Sequence, residues 1–224
     1  MTPEIALKTS LEAAIKSLAA FDVNCWAESP DSAVDQALQI ARRWGFGGLV
    51  MTTPTALSTA LASNTSLFKQ VKKAEVEGLQ VAMVIKPQLP EPLTRSKTRG
   101  VRLVRLFPKI HDYALDSPAA QGVLAACLQE DLPVMISHTQ TSWEAFEALL
   151  QAWPKLTLIL EGSDQKLFYH ASTVETLLER YPNLLLETHN VVGFGWLERL
   201  AGRFGSERLL YGSNWPQHNP AASL

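Results

Sequence analysis

Leu79-Gln80-Val81-Ala82-Met83-Val84-Ile85 and Leu156-Thr157-Leu158-Ile159-Leu160 are short, near-continuous apolar runs. A strand with one wet face alternates apolar and polar residues; runs like these predict parallel strands covered on both faces. Outward from them, β-rich stretches recur along the chain. The strand candidates are 20–26, 47–52, 80–85, 101–107, 132–137, 156–161, 183–187 and 207–213. Helical patterns lie between them. Ser29 is placed to cap a helix with Pro30 in its first turn, running through Val34, Ala37, Leu38 and Ala41 to a left-handed stop at Gly45. Thr141-Ser142-Trp143-Glu144 has capping-box spacing and opens a helix through Leu149 and Leu150. Strand then helix, repeated along the chain, predicts one α/β domain over 1–224, a (β/α)8 or TIM barrel. An open doubly wound sheet is the competitor, and no Gly-x-Gly-x-x-Gly follows any strand to support it.

About ten residues follow the eighth strand, too few for a loop and a full helix. Residues 3–19 place Leu7, Leu11, Ala14, Ile15 and Leu18 at helical spacing, so an N-terminal helix is expected to fill the place of the missing last one. Residues 86–99, rich in proline and charge, read as a loop.

Composition narrows the function classes. A net charge of −2 supplies no basic surplus for a phosphate backbone, which disfavours nucleic acid as a partner. No apolar run is long enough for a membrane span and no signal peptide is recognisable, so a cytoplasmic protein is expected. Cys25 and Cys127 are too few and too far apart for a disulfide framework or zinc site and are read as reduced thiols.

Barrel enzymes do their chemistry at the C-terminal ends of the strands. Those ends carry Asn24 and Trp26, Thr52 and Thr53, Lys86, Arg105, His138, Glu161, Glu187 and His189, and Asn214. The set is far more polar than packing requires. Some of it has an ordinary structural reading. His138 would serve as a buried histidine, and Glu161 would pair with Lys86 or Arg105.

Two stretches frame these ends: Phe21-Asp22-Val23-Asn24-Cys25-Trp26 and Arg208-Leu209-Leu210-Tyr211-Gly212-Ser213-Asn214-Trp215-Pro216. Together with His138 in Pro133-Val134-Met135-Ile136-Ser137-His138-Thr139 they resemble the amidohydrolase superfamily, in its amidohydrolase-2 branch of TIM-barrel hydrolases and decarboxylases. The resemblance implies a metal site in which the first strand supplies two histidines and the last an aspartate. Here those positions read Asn24, Trp26 and Asn214, and Glu161 stands where a sixth-strand histidine is expected. Asparagine is a poor neutral ligand and tryptophan offers none. The resemblance is to a subgroup lacking the His-x-His motif, with Arg105-Leu106-Phe107-Pro108-Lys109-Ile110-His111-Asp112-Tyr113 after the fourth strand.

The expected function is hydrolysis of a small organic substrate, an ester, lactone, amide or carboxylate, without firm need of a cofactor. His138 and Glu161 are the expected acid–base pair. Asn24, Arg105, His189, Asn214 and Trp26 are expected to bind substrate. Two other readings stand beside it. One is an inactive barrel that binds a small molecule or protein. The other is a hydrolase or decarboxylase dependent on a divalent metal, zinc or similar, held by His138, Glu161 and His189. A homodimer is compatible with all three, because a barrel short of one helix would expose apolar surface.

Overall fold

The computed structural model describes residues 20–89, 93, 100–162 and 165–218. Eight parallel strands form one sheet in sequence order: β1 (Phe21–Trp26), β2 (Gly48–Thr52), β3 (Leu79–Val84), β4 (Val101–Leu106), β5 (Val134–Ser137), β6 (Leu158–Glu161), β7 (Leu184–Glu187) and β8 (Leu209–Leu210). Past β8 the chain turns back onto β1. Val23 N–H donates to the Tyr211 carbonyl at 3.0 Å, Asn214 N–H to the Asn24 carbonyl at 2.8 Å, and Trp26 N–H to the Trp215 carbonyl at 2.8 Å. These bonds bring the two sheet edges together, and the fold is a (β/α)8 barrel. The described helices are α1 (Ala33–Trp44), α2 (Ala60–Ala74), α3 (Pro118–Gln129), α4 (Trp143–Ala152), α5 (Ala171–Arg180) and α6 (Trp196–Phe204). None is long and apolar enough to cross a membrane. The expected helix at 3–19 and most of the 86–99 loop lie outside the described residues.

Local differences from the sequence reading have local causes. Helix α1 starts at Ala33 rather than near Pro30, because the Ser29 and Ser32 hydroxyls bond each other at 3.1 Å and hold 29–32 as a turn. Gly45 ends that helix left-handed at φ 72°, as its position suggests. Ser142, not Thr141, caps α4, its hydroxyl accepting from Ala145 N–H at 3.2 Å. Strand β8 is shorter than 207–213, because 206–208 form a 3-10 turn and pairing to β7 stops at Leu210.

Two apolar layers follow from strand alternation. Val50, Ala82, Leu103, Met135 and Ile159 form the barrel interior, with Val23, Leu185 and Leu210 packed against them. Residues one step along each strand, such as Leu49, Met51, Val104, Val134 and Leu160, face outward into the cores under the helices.

Candidate active site

The period of two that builds the interior layer also builds the site above it. Two residues beyond Leu103, Ile159 and Leu185 stand Arg105, Glu161 and Glu187, so the next inward-facing layer toward the strand ends is charged. Strand β1 would break the pattern, but it carries a bulge. Between the pairs Asp22–Leu49 and Cys25–Met51 it uses one residue more than β2. Val23 and Asn24 therefore both oppose Val50. Val23 joins the apolar layer and Asn24 turns into the site, while Cys25 packs outward among the helices.

These side chains converge on one buried network. Arg105 is 1% exposed. Its Nη1 donates to Asn24 Oδ1 at 2.7 Å and its Nη2 pairs closely with Glu161 Oε1. The guanidinium also lies over the Trp26 ring, 4.4 Å from its centroid, and 5.5 Å from that of Phe107. Asn24 Nδ2 donates to the same Glu161 oxygen at 3.0 Å. Beside this group Glu187 embraces His189. One carboxylate oxygen accepts the His189 backbone N–H at 2.9 Å, and the other lies 2.5 Å from its ring Nδ1. A proton on Nδ1 satisfies both partners and leaves Nε2 as the reactive nitrogen. Nε2 is buried and has no partner among the described residues. Burial disfavours the His189 imidazolium, but the charge and hydrogen bond of Glu187 outweigh it and hold the pKa above the ordinary histidine value.

Two glycines make room for this pair. A Cβ on Gly212 would fall 1.7 Å from Glu187 Oε1, and one on Gly162 would fall 2.2 Å from the His189 carbonyl. Any other residue at either position would push the pair aside.

A cavity of about 280 Å³ opens above the network. Arg105, Glu161, His189, Asn214 and Trp26 line it, with Phe107, Leu57 and Pro54 as apolar wall. Asn214 has left-handed backbone at φ 52°, a conformation asparagine tolerates, and its Nδ2 lies 3.2 Å from His218 Nδ1. A larger cavity of about 820 Å³ lies between the 108–116 loop and α4, and none of the polar strand-end residues lines it. The strand-end cavity is where the charged groups meet.

Most of the sequence-predicted residues come together here, but in a different pairing. His138 and Glu161 do not form a dyad. Glu161 is committed to Arg105 and Asn24, while the His138 ring stacks on Trp143 (centroids 5.9 Å, 21° between planes) and faces His170 at 5.8 Å. Burial pushes the His138 pKa down, against a weaker upward pull from the Glu161 backbone. The carboxylate–imidazole pair is instead Glu187 with His189. Glu187 is among the polar strand ends of the sequence but not among its expected site residues. Its signal was present: Leu184-Leu185-Leu186 ends in a carboxylate two residues before a histidine, where both face the same side. His111 packs its loop down, with Nε2 2.8 Å from the Leu57 carbonyl.

Glu161, Glu187 and His189 offer ligand atoms all within 4.8 Å of one another, and His138 is not among them. Both carboxylates of this trio are engaged by groups of the protein. Arg105 and Asn24 both bond Glu161 Oε1, and His189 engages both oxygens of Glu187. A divalent ion held by the trio would sit beside the Arg105 guanidinium on Glu161 and compete with His189 for Glu187.

A model of the amidohydrolase family matches residues 1–224. The chain belongs to the amidohydrolase family. Among solved structures, this member of the family is similar to a dihydroxybenzoic acid decarboxylase from Polaromonas sp. JS666 with bound manganese and the inhibitor 2-nitroresorcinol. That match has a TM-score of 0.64 and 13% identity, over 91% of this chain and 89% of that one. It is also similar to a probable 2-pyrone-4,6-dicarboxylic acid hydrolase from Acinetobacter baumannii with citric acid bound, at TM-score 0.63 and 14% identity, over 92% and 87% of the two chains. A third is an amidohydrolase 2 from Bifidobacterium longum subsp. infantis, at TM-score 0.62 and 17% identity, over 90% and 88%. At such identities the likeness is one of fold. No curated protein sequence matches the chain significantly.

Proposed function

We propose that this amidohydrolase hydrolyses a small organic acid derivative, an ester, lactone or amide that carries a carboxylate, with His189 as its acid–base group. The observation that carries the reading is the His189–Glu187 pair, whose unpartnered Nε2 belongs to a residue lining the same cavity as a buried arginine. Glu187 orients the ring and keeps the proton on Nδ1. Neutral His189 accepts a proton from water at Nε2 as the water oxygen bonds the substrate carbonyl carbon. The carbonyl π electrons move onto oxygen, and the imidazolium then returns the proton to the leaving oxygen or nitrogen as that bond breaks. Arg105 supplies positive charge for the substrate carboxylate or the oxyanion. Asn24 fixes Arg105 and Glu161, and Asn214 and Trp26 complete the walls. The citric acid bound to the hydrolase concerns that protein; here it supports only the size and acidity of the expected ligand.

The test is a panel of lactones, activated esters and amides with and without a free carboxylate. Turnover is expected with at least one carboxylate-bearing class, falling on the order of 100- to 10,000-fold in His189→Gln. Turnover indifferent to His189→Gln, or release of carbon dioxide in place of a hydrolysis product, overturns the proposal.

A further inference from the structure

We infer that Arg105 is the resident cation of the barrel mouth, and that its guanidinium takes the part a divalent metal ion would otherwise play there. The inference deepens the hydrolytic reading, but its binding half stands on geometry alone.

Four observations carry it. The guanidinium is 1% exposed at the centre of the charged layer, where an unpaired cation would be costly, and it is held on three sides. Asn24 accepts one N–H, Glu161 accepts another, and the Trp26 and Phe107 rings pack against it. The two carboxylates that could gather around an ion are already engaged within the protein, Glu161 by Arg105 and Asn24 and Glu187 by His189. Each carboxylate also has its own partner: Glu161 pairs with Arg105, and Glu187 with the His189 ring. An added divalent ion would meet a fixed positive neighbour on Glu161. Finally, Arg105 lines the cavity, and Asn24 and Glu161 take only two of its five N–H groups, which leaves the guanidinium an N–H for a ligand. The guanidinium is a cation built into the chain, so it needs no loading step. A carbonyl oxygen placed against it would accept that N–H more strongly as it becomes an oxyanion.

The test is metal binding, which needs no substrate. The protein is incubated with excess manganese or zinc chloride, desalted and assayed for bound metal. Its melting temperature is measured with each ion and with chelator. The wild type is expected to hold far less than one ion per chain and to melt at the same temperature throughout. Arg105→Met keeps much of the side-chain bulk but frees Glu161. That variant, if folded by circular dichroism, is expected to gain manganese or zinc and to melt several degrees higher with the ion. One equivalent of metal on the wild type, with a rise in melting temperature, overturns the inference. So does a folded Arg105→Met protein as indifferent to both ions as the wild type. If the variant does not fold, the wild-type result decides. A metal-indifferent wild type that hydrolyses nothing would sink the hydrolytic reading and leave this one intact. Stoichiometric metal with robust His189-dependent hydrolysis would do the reverse.

Discussion

His189 and His138 are both buried near strand ends, yet their surroundings shift their proton affinities in opposite directions. Burial opposes charge on both rings. For His189 the Glu187 carboxylate overcomes that opposition and the folded pKa lies above the ordinary 6.5; for His138 nothing overcomes it and the folded pKa lies below 6.5. The linkage signs therefore differ. The stabilisation from His189 is fully present below pH 6.5 and is lost as pH rises through its higher folded value. His138 acts the other way: below pH 6.5 the unfolded chain takes a proton that the fold resists, so stability falls on acidification. Proton NMR of the histidine rings should show one titrating above 6.5 and one below, with Glu187→Gln bringing the first down. Urea unfolding of His138→Gln should lose less stability than wild type between neutral and mildly acidic pH. Equal acid-side slopes would remove His138 from the explanation.

Strands place these groups, and two features of strand packing decide which groups meet. The bulge in β1 turns Asn24 inward beside Val23. Gly212, just past β8, leaves the space that the Glu187 carboxylate fills. Gly212→Ala is expected to displace Glu187, costing about 2–4 kcal/mol of stability through overpacking and a disturbed buried charge, and to lower the His189 pKa. Denaturant unfolding and histidine titration check both halves; a normal His189 titration in the alanine variant would show that the close approach is not what holds the pair. The strands themselves were readable, because doubly buried strands leave apolar runs such as Leu158-Ile159-Leu160 that surface segments do not have. The polar strand ends were readable for the same reason: Arg105, Glu161 and Glu187 interrupt or end such runs. The partner of each was not. The His138–Glu161 pairing expected from neighbouring strands gave way because Trp143, at the start of α4, stacks on His138, while Arg105 claims Glu161 from β4.

Closure of the barrel rests on a third buried carboxylate. Asp22 Oδ1 accepts both the Asn24 and Ser213 N–H groups at 3.0 Å, and its Oδ2 accepts the Cys25 thiol at 3.0 Å. It thus ties β1 to the chain past β8. Burial raises its pKa to about 6, with these hydrogen bonds holding it lower than burial alone would. Asp22→Ala would leave those donors buried without an acceptor, and is expected to cost about 2–4 kcal/mol in urea unfolding. A loss of only a few tenths would mean that the seam is held by its backbone bonds alone.

Period-two alternation, apolar run length and helix stops such as Gly45 depend on residues near one another in the chain, so the sequence alone determined the strand–helix alternation, the barrel, and the positions at its mouth where chemistry belongs. Which carboxylate serves which cation depends on distances across the barrel, between residues as far apart in sequence as Asn24 and Glu161 or Arg105 and Glu161. Those distances are set by the bulge, by glycine-sized gaps and by aromatic packing. Only the tertiary structure could therefore assign Glu161 to Arg105 and Glu187 to His189.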